Sequence, residues 1–190
     1  MPDPPDQDTS SVGHQIIGDF HLGEDGAVAY DALTEIESLY ADFSEAMTEI
    51  LQRDSTGDTR IPLKARERTL LLEFYTVVHA HVERLSAALL FEELADDQQG
   101  QSSSTFRFFR DEFSQQQREG LLFQTGIIDS GMKGELTKIR QARNTLVHEQ
   151  HKRMYIDPNH KSESDVDRAF NAVTTLDAQL NDITGIDLRN

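Results

Sequence analysis

The chain has 190 residues, 37% of them apolar, with 34 acidic against 18 basic side chains and a formal net charge of −16. That length supports one domain with a proper core, and the apolar share lies above that of a disordered chain. No eighteen-residue apolar stretch occurs, which excludes a membrane-spanning helix, and with no cysteine there are no disulfides, thiolate metal sites or cysteine nucleophiles.

Residues 1–26 read as an acidic, largely disordered tail, rich at its start in Pro, Asp, Gln and Ser. Met1 to Asp8 has neither a basic n-region nor an apolar h-region, so no secretory signal is expected. Together with the missing cysteines this points to the cytoplasm. Residues 27–186 read as a single helical domain.

From about Ala27 to Gln52, Leu33, Ile36, Leu39/Tyr40, Phe43, Met47 and Ile50/Leu51 recur at spacings of three and four, the period of an amphipathic helix. The polar run from Arg53 to Thr59 breaks it, and Pro62 suits the first turn of a second helix. That helix reaches about Leu94 and is apolar through Leu70, Leu71, Phe74, Val77, Val78, Val82, Leu85, Leu89, Leu90 and Phe91, the composition of a central helix covered on more than one side. After a polar loop from Asp96 to Ser104, the spacing predicts a third helix from Phe106 to Phe123, turned inward at Phe106, Phe109, Phe113 and Leu121/Leu122 and weakened by Gly120. Asp129 or Ser130 can cap a fourth helix, which fades near Ile156-Asp157-Pro158. Ser162 and Asp165 resemble a capping box at the start of a fifth, with Val166, Phe170, Val173, Leu176, Leu180 and Ile183 as its inner stripe. No sustained alternation or hairpin signature appears. The expected fold is all-α, an up-and-down bundle of four to five helices.

The charge is uneven. Lys133 to Arg153 holds six bases against two acids, a net +4 in 21 residues, which leaves −20 on the rest. Overall acidity opposes non-specific nucleic-acid binding, but a local basic patch can still steer an anion. Nineteen Asp, 15 Glu and only 5 Lys also resemble the surface of proteins from salt-loving organisms, whose concentrated cytoplasmic salt screens such repulsion.

That basic stretch surrounds Arg143-Asn144-Thr145-Leu146-Val147-His148 on the fourth helix. Leu136, Ile139, Leu146, Val147 and Met154 share one arc of the helix with Arg143 in its middle. Arg140, Asn144, His148 and His151 form a polar flank beside it. Asn144 and His148 are four apart and therefore neighbours, while Arg143 and His148 are about 140° apart around the helix, a gap a long Arg side chain can bend across. An Arg rising from an apolar seam needs a partner, because an unpaired buried charge costs several kcal/mol. One candidate partner is a phosphodiester, with Arg143 neutralising charge on the phosphoryl oxygens, His148 moving protons and Asn144 orienting either. The other is a carboxylate of the same chain, Glu73, Glu83 or Glu135, which would make Arg143 a structural ion-pair residue.

Arg143-Asn144-x-x-x-His148, late in an all-helical chain of this size, resembles the signature of the HEPN family, in which Arg is followed four to six residues on by His, commonly with a polar residue directly after the Arg. The resemblance extends over Leu136-x-x-Ile139-Arg140-x-x-Arg143-Asn144-x-x-Val147-His148 and the amphipathic helix after it, and spans roughly Ala27 to Ile183. It implies a HEPN-like helical bundle that dimerises and places two motifs in one cleft. It also implies a metal-independent endoribonuclease without a cofactor, of the kind found in toxin–antitoxin and other defence systems, in which the ribose 2′-OH attacks the adjacent phosphate. By that resemblance Arg143 and His148 are catalytic and Asn144 supports them, with Arg140, His151, Lys152 and Arg153 as the RNA-binding surroundings. The expected partners are RNA, a second copy of the chain and an antitoxin or other protein, with no membrane. Gln150 stands where one toxin subgroup carries a Tyr. Many relatives keep the fold without catalysis, so the alternative is a helical module that binds RNA, a nucleotide or a partner protein.

Two further groupings of chemically active side chains occur in the sequence. Tyr75, His79 and Glu83 share a face of the second helix with His81 nearby, but a metal site needs three or four converging ligands, and only two are offered on that face. Phe106-Arg107-Phe108-Phe109-Arg110 interleaves aromatic and basic residues as a base-stacking platform does, although its helical spacing favours core packing.

Overall fold

The computed structural model describes residues 32–53, 61–94, 102–148, 155–156 and 162–184. Among the described residues six helices are formed: α1 (Ala32–Arg53), α2 (Ala65–Leu94), α3 (Ser102–Asp111), α4 (Gln115–Gln124), α5 (Ser130–His148) and α6 (Ser162–Thr184). The acidic N-terminal tail expected over residues 1–26 lies outside the described residues. None of these helices is long and apolar enough to cross a membrane.

The fold is an all-α bundle organised by α2, which packs against each of the other five helices. Its apolar residues occur on more than one side, and Phe74, Val78, Val82, Leu85, Leu89 and Leu90 are all buried. Ile36, Phe43 and Ile50 of α1, Leu136 and Ile139 of α5 and Val166, Val173 and Leu176 of α6 complete the same core. Burying each such side chain stabilises the fold by about 1.5–3 kcal/mol. Tyr40 joins α1 to α6, stacking on Phe170 with ring centroids 4.3 Å apart and donating a hydrogen bond to Asp167 Oδ1 at 2.7 Å. Among the described side chains the predicted stripes hold except at their ends, where Leu51 and Ile183 are exposed; Phe106 and Met154 lie outside them.

Three expectations are corrected. The third helix is two helices, because Ser114 is extended and caps a new one. Its side chain accepts from the Gln117 backbone N–H while the Gln117 side chain accepts from the Ser114 N–H, a complete capping box. This raises the described helices to six. Pro62 does not open α2: it pairs with Tyr155 in a two-residue antiparallel ladder in which Ile61 faces Ile156. The second helix begins instead at Ala65, with Glu67 accepting from the Lys64 N–H at 2.7 Å. That ladder also places Ile156 in a strand, so α5 does not run on to it. Asp129 caps α5 as expected, accepting from the Met132 N–H at 2.7 Å. Gly126, at φ +80, reverses the chain between α4 and α5, a conformation open to glycine at little cost.

Candidate functional site

Helix α5 presents two flanks on either side of its buried line Leu136, Ile139 and Leu146. Arg143 continues that line and is half-buried, as its mid-arc position requires. Its Nη1 donates to Asn144 Oδ1 at 3.2 Å, so the adjacent Asn holds the guanidinium by the side chain. None of the described carboxylates forms an ion pair with Arg143. His148 is exposed in the last turn of α5, four residues beyond Asn144 on the same flank. His151, Lys152 and Arg153 lie outside the described residues.

The carboxylates that could have claimed Arg143 are paired elsewhere or exposed. Glu83 Oε1 accepts from Arg118 Nη2 at 3.1 Å, and its Oε2 lies 3.6 Å from His79 Nδ1. Glu135 pairs with Lys138 at 2.8 Å and with Arg168 at 3.6 Å. Glu73 is exposed. On the Asn144 flank, Glu119 is 1% exposed and accepts from Arg140 Nε at 3.3 Å and from the Thr137 hydroxyl at 3.1 Å. Arg140 therefore sits beside the motif with much of its charge already answered.

Arg118 is the structural arginine of this region. It is 3% exposed, and its Nη1 donates to the carbonyls of Phe109, Arg110 and Phe113 at 3.1, 2.8 and 2.5 Å. Its Nε donates to Gln115 Oε1, and Gln115 donates in turn to Ser86 on α2. Burial pushes its pKa down, and the charges of Glu83 and Glu119 push it back. The corner between α3 and α4 is thus closed by one guanidinium that satisfies carbonyls released at a helix end. Arg118 and Glu119 were not anticipated as buried. The signal was present in Gln115, Arg118, Glu119 and Leu122, which recur at helical spacing on the inward face.

Compared with protein-family models, with curated proteins and with solved structures, the chain gives no match.

The opposite flank of α5 borders a cleft of about 230 Å³ lined by Tyr75, Lys138, Gln141, Thr145, Asp165 and their neighbours. Burial, reinforced by the Asp165 charge, raises the Tyr75 phenol far above its ordinary pKa, so it stays protonated. Arg143 and His148 do not line this cleft. No group of three or more His, Asp or Glu side chains among the described residues is arranged to hold a metal ion. In the Phe-rich run, Phe109 is buried, while Phe108 is 51% exposed and meets Phe113 edge to face at 5.2 Å.

Proposed function

We propose that this chain is a metal-independent endoribonuclease of HEPN type, with Arg143 and His148 as its catalytic residues and Asn144 holding the arginine. The observation that supports this reading most is the distribution of ion pairs. Arg118, Arg140 and Arg168 each have a carboxylate of the chain, whereas Arg143, half-buried in an apolar line, is held only by a neutral amide among the described residues. A guanidinium kept oriented but not neutralised is suited to accept an anionic phosphoryl group in bidentate fashion. His148 stands within the same two turns, exposed where a polymer can reach it, and imidazole is the side chain most often used for general acid–base chemistry. In the reaction, the 2′-oxygen loses its proton and bonds to the adjacent phosphorus. The 5′-oxygen leaves and takes up a proton, and a cyclic 2′,3′-phosphate remains. The same reading makes the protein a cytoplasmic toxin or defence component, homodimeric and held in check by a protein partner.

The test is cleavage of varied RNAs in high KCl with EDTA, comparing wild type with Arg143→Ala and His148→Ala. Each substitution is expected to lower the rate by at least about 100-fold with the helical circular dichroism unchanged. The wild-type products should end in cyclic phosphate. A folded wild type that cleaves none of the RNAs refutes the nuclease and leaves a binding module as the reading.

A further inference from the structure

One flank of α5 carries more than the motif. Lys133, Thr137, Arg140, Asn144 and His148 fall within about 80° of arc and extend over about 22 Å of the helix. Helix α4 lies against this flank, where Glu119 accepts from Thr137 and Arg140. At the end remote from His148 the flank finishes at an aromatic ring. Phe123 of α4 is 40% exposed, and Lys133 Nζ stands 4.6 Å from its ring centroid.

The neighbouring acids leave two cations of this helix unanswered. Asp129, one turn before Lys133, turns Oδ1 to the Met132 N–H that it caps. Glu119 is buried and held by Arg140 and Thr137. Among the described residues neither Lys133 nor Arg143 forms an ion pair: Lys133 lies over the Phe123 ring, and Arg143 is held by Asn144. On the other flank Lys138 is paired with Glu135 at 2.8 Å. The chain has 34 acidic and 18 basic side chains, so a flank that keeps cations clear of carboxylates is complementary to an anionic polymer. A second copy of the protein would bring the same cations and the same net charge of −16 to this face, and is the poorer occupant.

We propose that this flank is a track for single-stranded RNA, in which Phe123 stacks one base and Lys133 holds the phosphate beside it. The inference rests on the ribonuclease reading for the place of the scissile bond, at Arg143 and His148. From Lys133 to Asn144 the helix rises about 16 Å. That length spans about five nucleotides at the rise of about 3.4 Å of a stacked strand, and fewer of an extended one. Stacking on Phe123 needs a base with an open face, which a paired duplex does not offer. The track therefore selects unpaired RNA. Every base has a π-face, so it does so with little regard to sequence.

The chain has no Trp, and Phe123→Trp introduces a single fluorophore at the stacking position. The probe is a ten-nucleotide 2′-O-methyl oligoribonucleotide, which lacks the attacking hydroxyl. As a single strand it is expected to quench the Trp emission, and as a duplex to leave it unchanged. By anisotropy of the labelled oligomer, Phe123→Leu should weaken binding about 5- to 100-fold, whereas Phe123→Tyr, which keeps a ring, should stay within about threefold. Across a KCl series, Lys133→Gln should reduce the slope of log affinity against log salt by about 0.7, the share of one phosphate contact on a single strand. With cleavable RNA, Phe123→Leu should raise KM and leave kcat within about threefold. Binding that leaves the Trp emission unchanged, with Phe123→Leu and Lys133→Gln at wild-type affinity and salt slope, overturns the track and leaves Arg143 and His148 standing. Quenching without cleavage of any RNA supports the track and refutes the nuclease. Trp emission that follows protein concentration and not the oligomer puts a second copy of the chain on this face and overturns the track. A folded protein that neither binds nor cleaves overturns both. Should Phe123→Leu not fold, the salt slope of Lys133→Gln decides.

Discussion

Arg118 on α4 is paired to Glu83, whereas Arg143 on α5 forms no ion pair with a carboxylate among the described residues. Replacing Arg118 with Ala leaves three carbonyls without that donor and Glu83 without its guanidinium partner. Glu83 is 42% exposed, so its pair adds little, and the loss comes mainly from the buried acceptors left without a donor, about 1–3 kcal/mol each. Urea denaturation of Arg118→Ala should show that loss, and Arg118→Lys should recover only a small part, because an ammonium cannot bridge the several acceptors a guanidinium spans. Arg143→Ala should be far milder on the same measurement, since among the described residues it gives up the Asn144 hydrogen bond and no ion pair. The half-buried place of Arg143 was legible from the spacing of Leu136, Ile139 and Leu146 around it. The choice of carboxylate was not. Glu83 is 35 residues from Arg118 in sequence, and periodicity states which face a residue occupies but not which helix will lie against that face.

Among the elements, long stripes were legible and breaks were not. The period of α1, the saturation of α2 with apolar residues and the inner line of α6 all express how far one helical face is buried, which composition at fixed spacing records directly. The interruption between α3 and α4 depends instead on a single capping arrangement. Ser114-x-x-Gln117 carries its signature in the sequence, while Gly120, the residue that looked weakest, sits inside an intact α4. Ser114→Ala should destabilise the protein by about 1 kcal/mol in chemical denaturation, the usual worth of such a cap. Because Arg118 lies in the first turns of the helix that Ser114 opens, the loss should couple to that of Arg118→Ala and the two should not add. The ladder of β1 (Ile61–Pro62) and β2 (Tyr155–Ile156) was illegible for another reason. Two residues are too few for alternation to be read, and a strand so short exists only because helix packing brings its partner close.

For the molecule as a whole, the net charge of −16 sets the working conditions. Repulsion among its carboxylates extends over a Debye length of about 10 Å at 0.1 M salt and about 3 Å at 1 M. The melting temperature should therefore rise steadily with KCl between these concentrations, and a melting temperature that is flat or falling would contradict the salt-adapted reading. The motif lies in the one stretch of opposite sign, where the net +4 is surrounded by −20. Salt should thus act on the protein in two directions, steadying the fold while weakening the attraction of an anionic ligand for this patch.

The pairing of Ile61 with Ile156 joins points about 95 residues apart, and closing so long a loop costs on the order of 4 kcal/mol in chain entropy. A two-residue ladder, whose hydrogen bonds contribute about 1 kcal/mol each, cannot meet that cost from an unfolded chain. It can form only after α2 to α5 have collapsed together and shortened the gap. The chain that leaves α5 is thus fastened at the end of folding and released at the start of unfolding. An incompletely folded molecule, such as one still emerging from a ribosome, carries Arg143 and His148 in its sequence but not the fastening downstream of them.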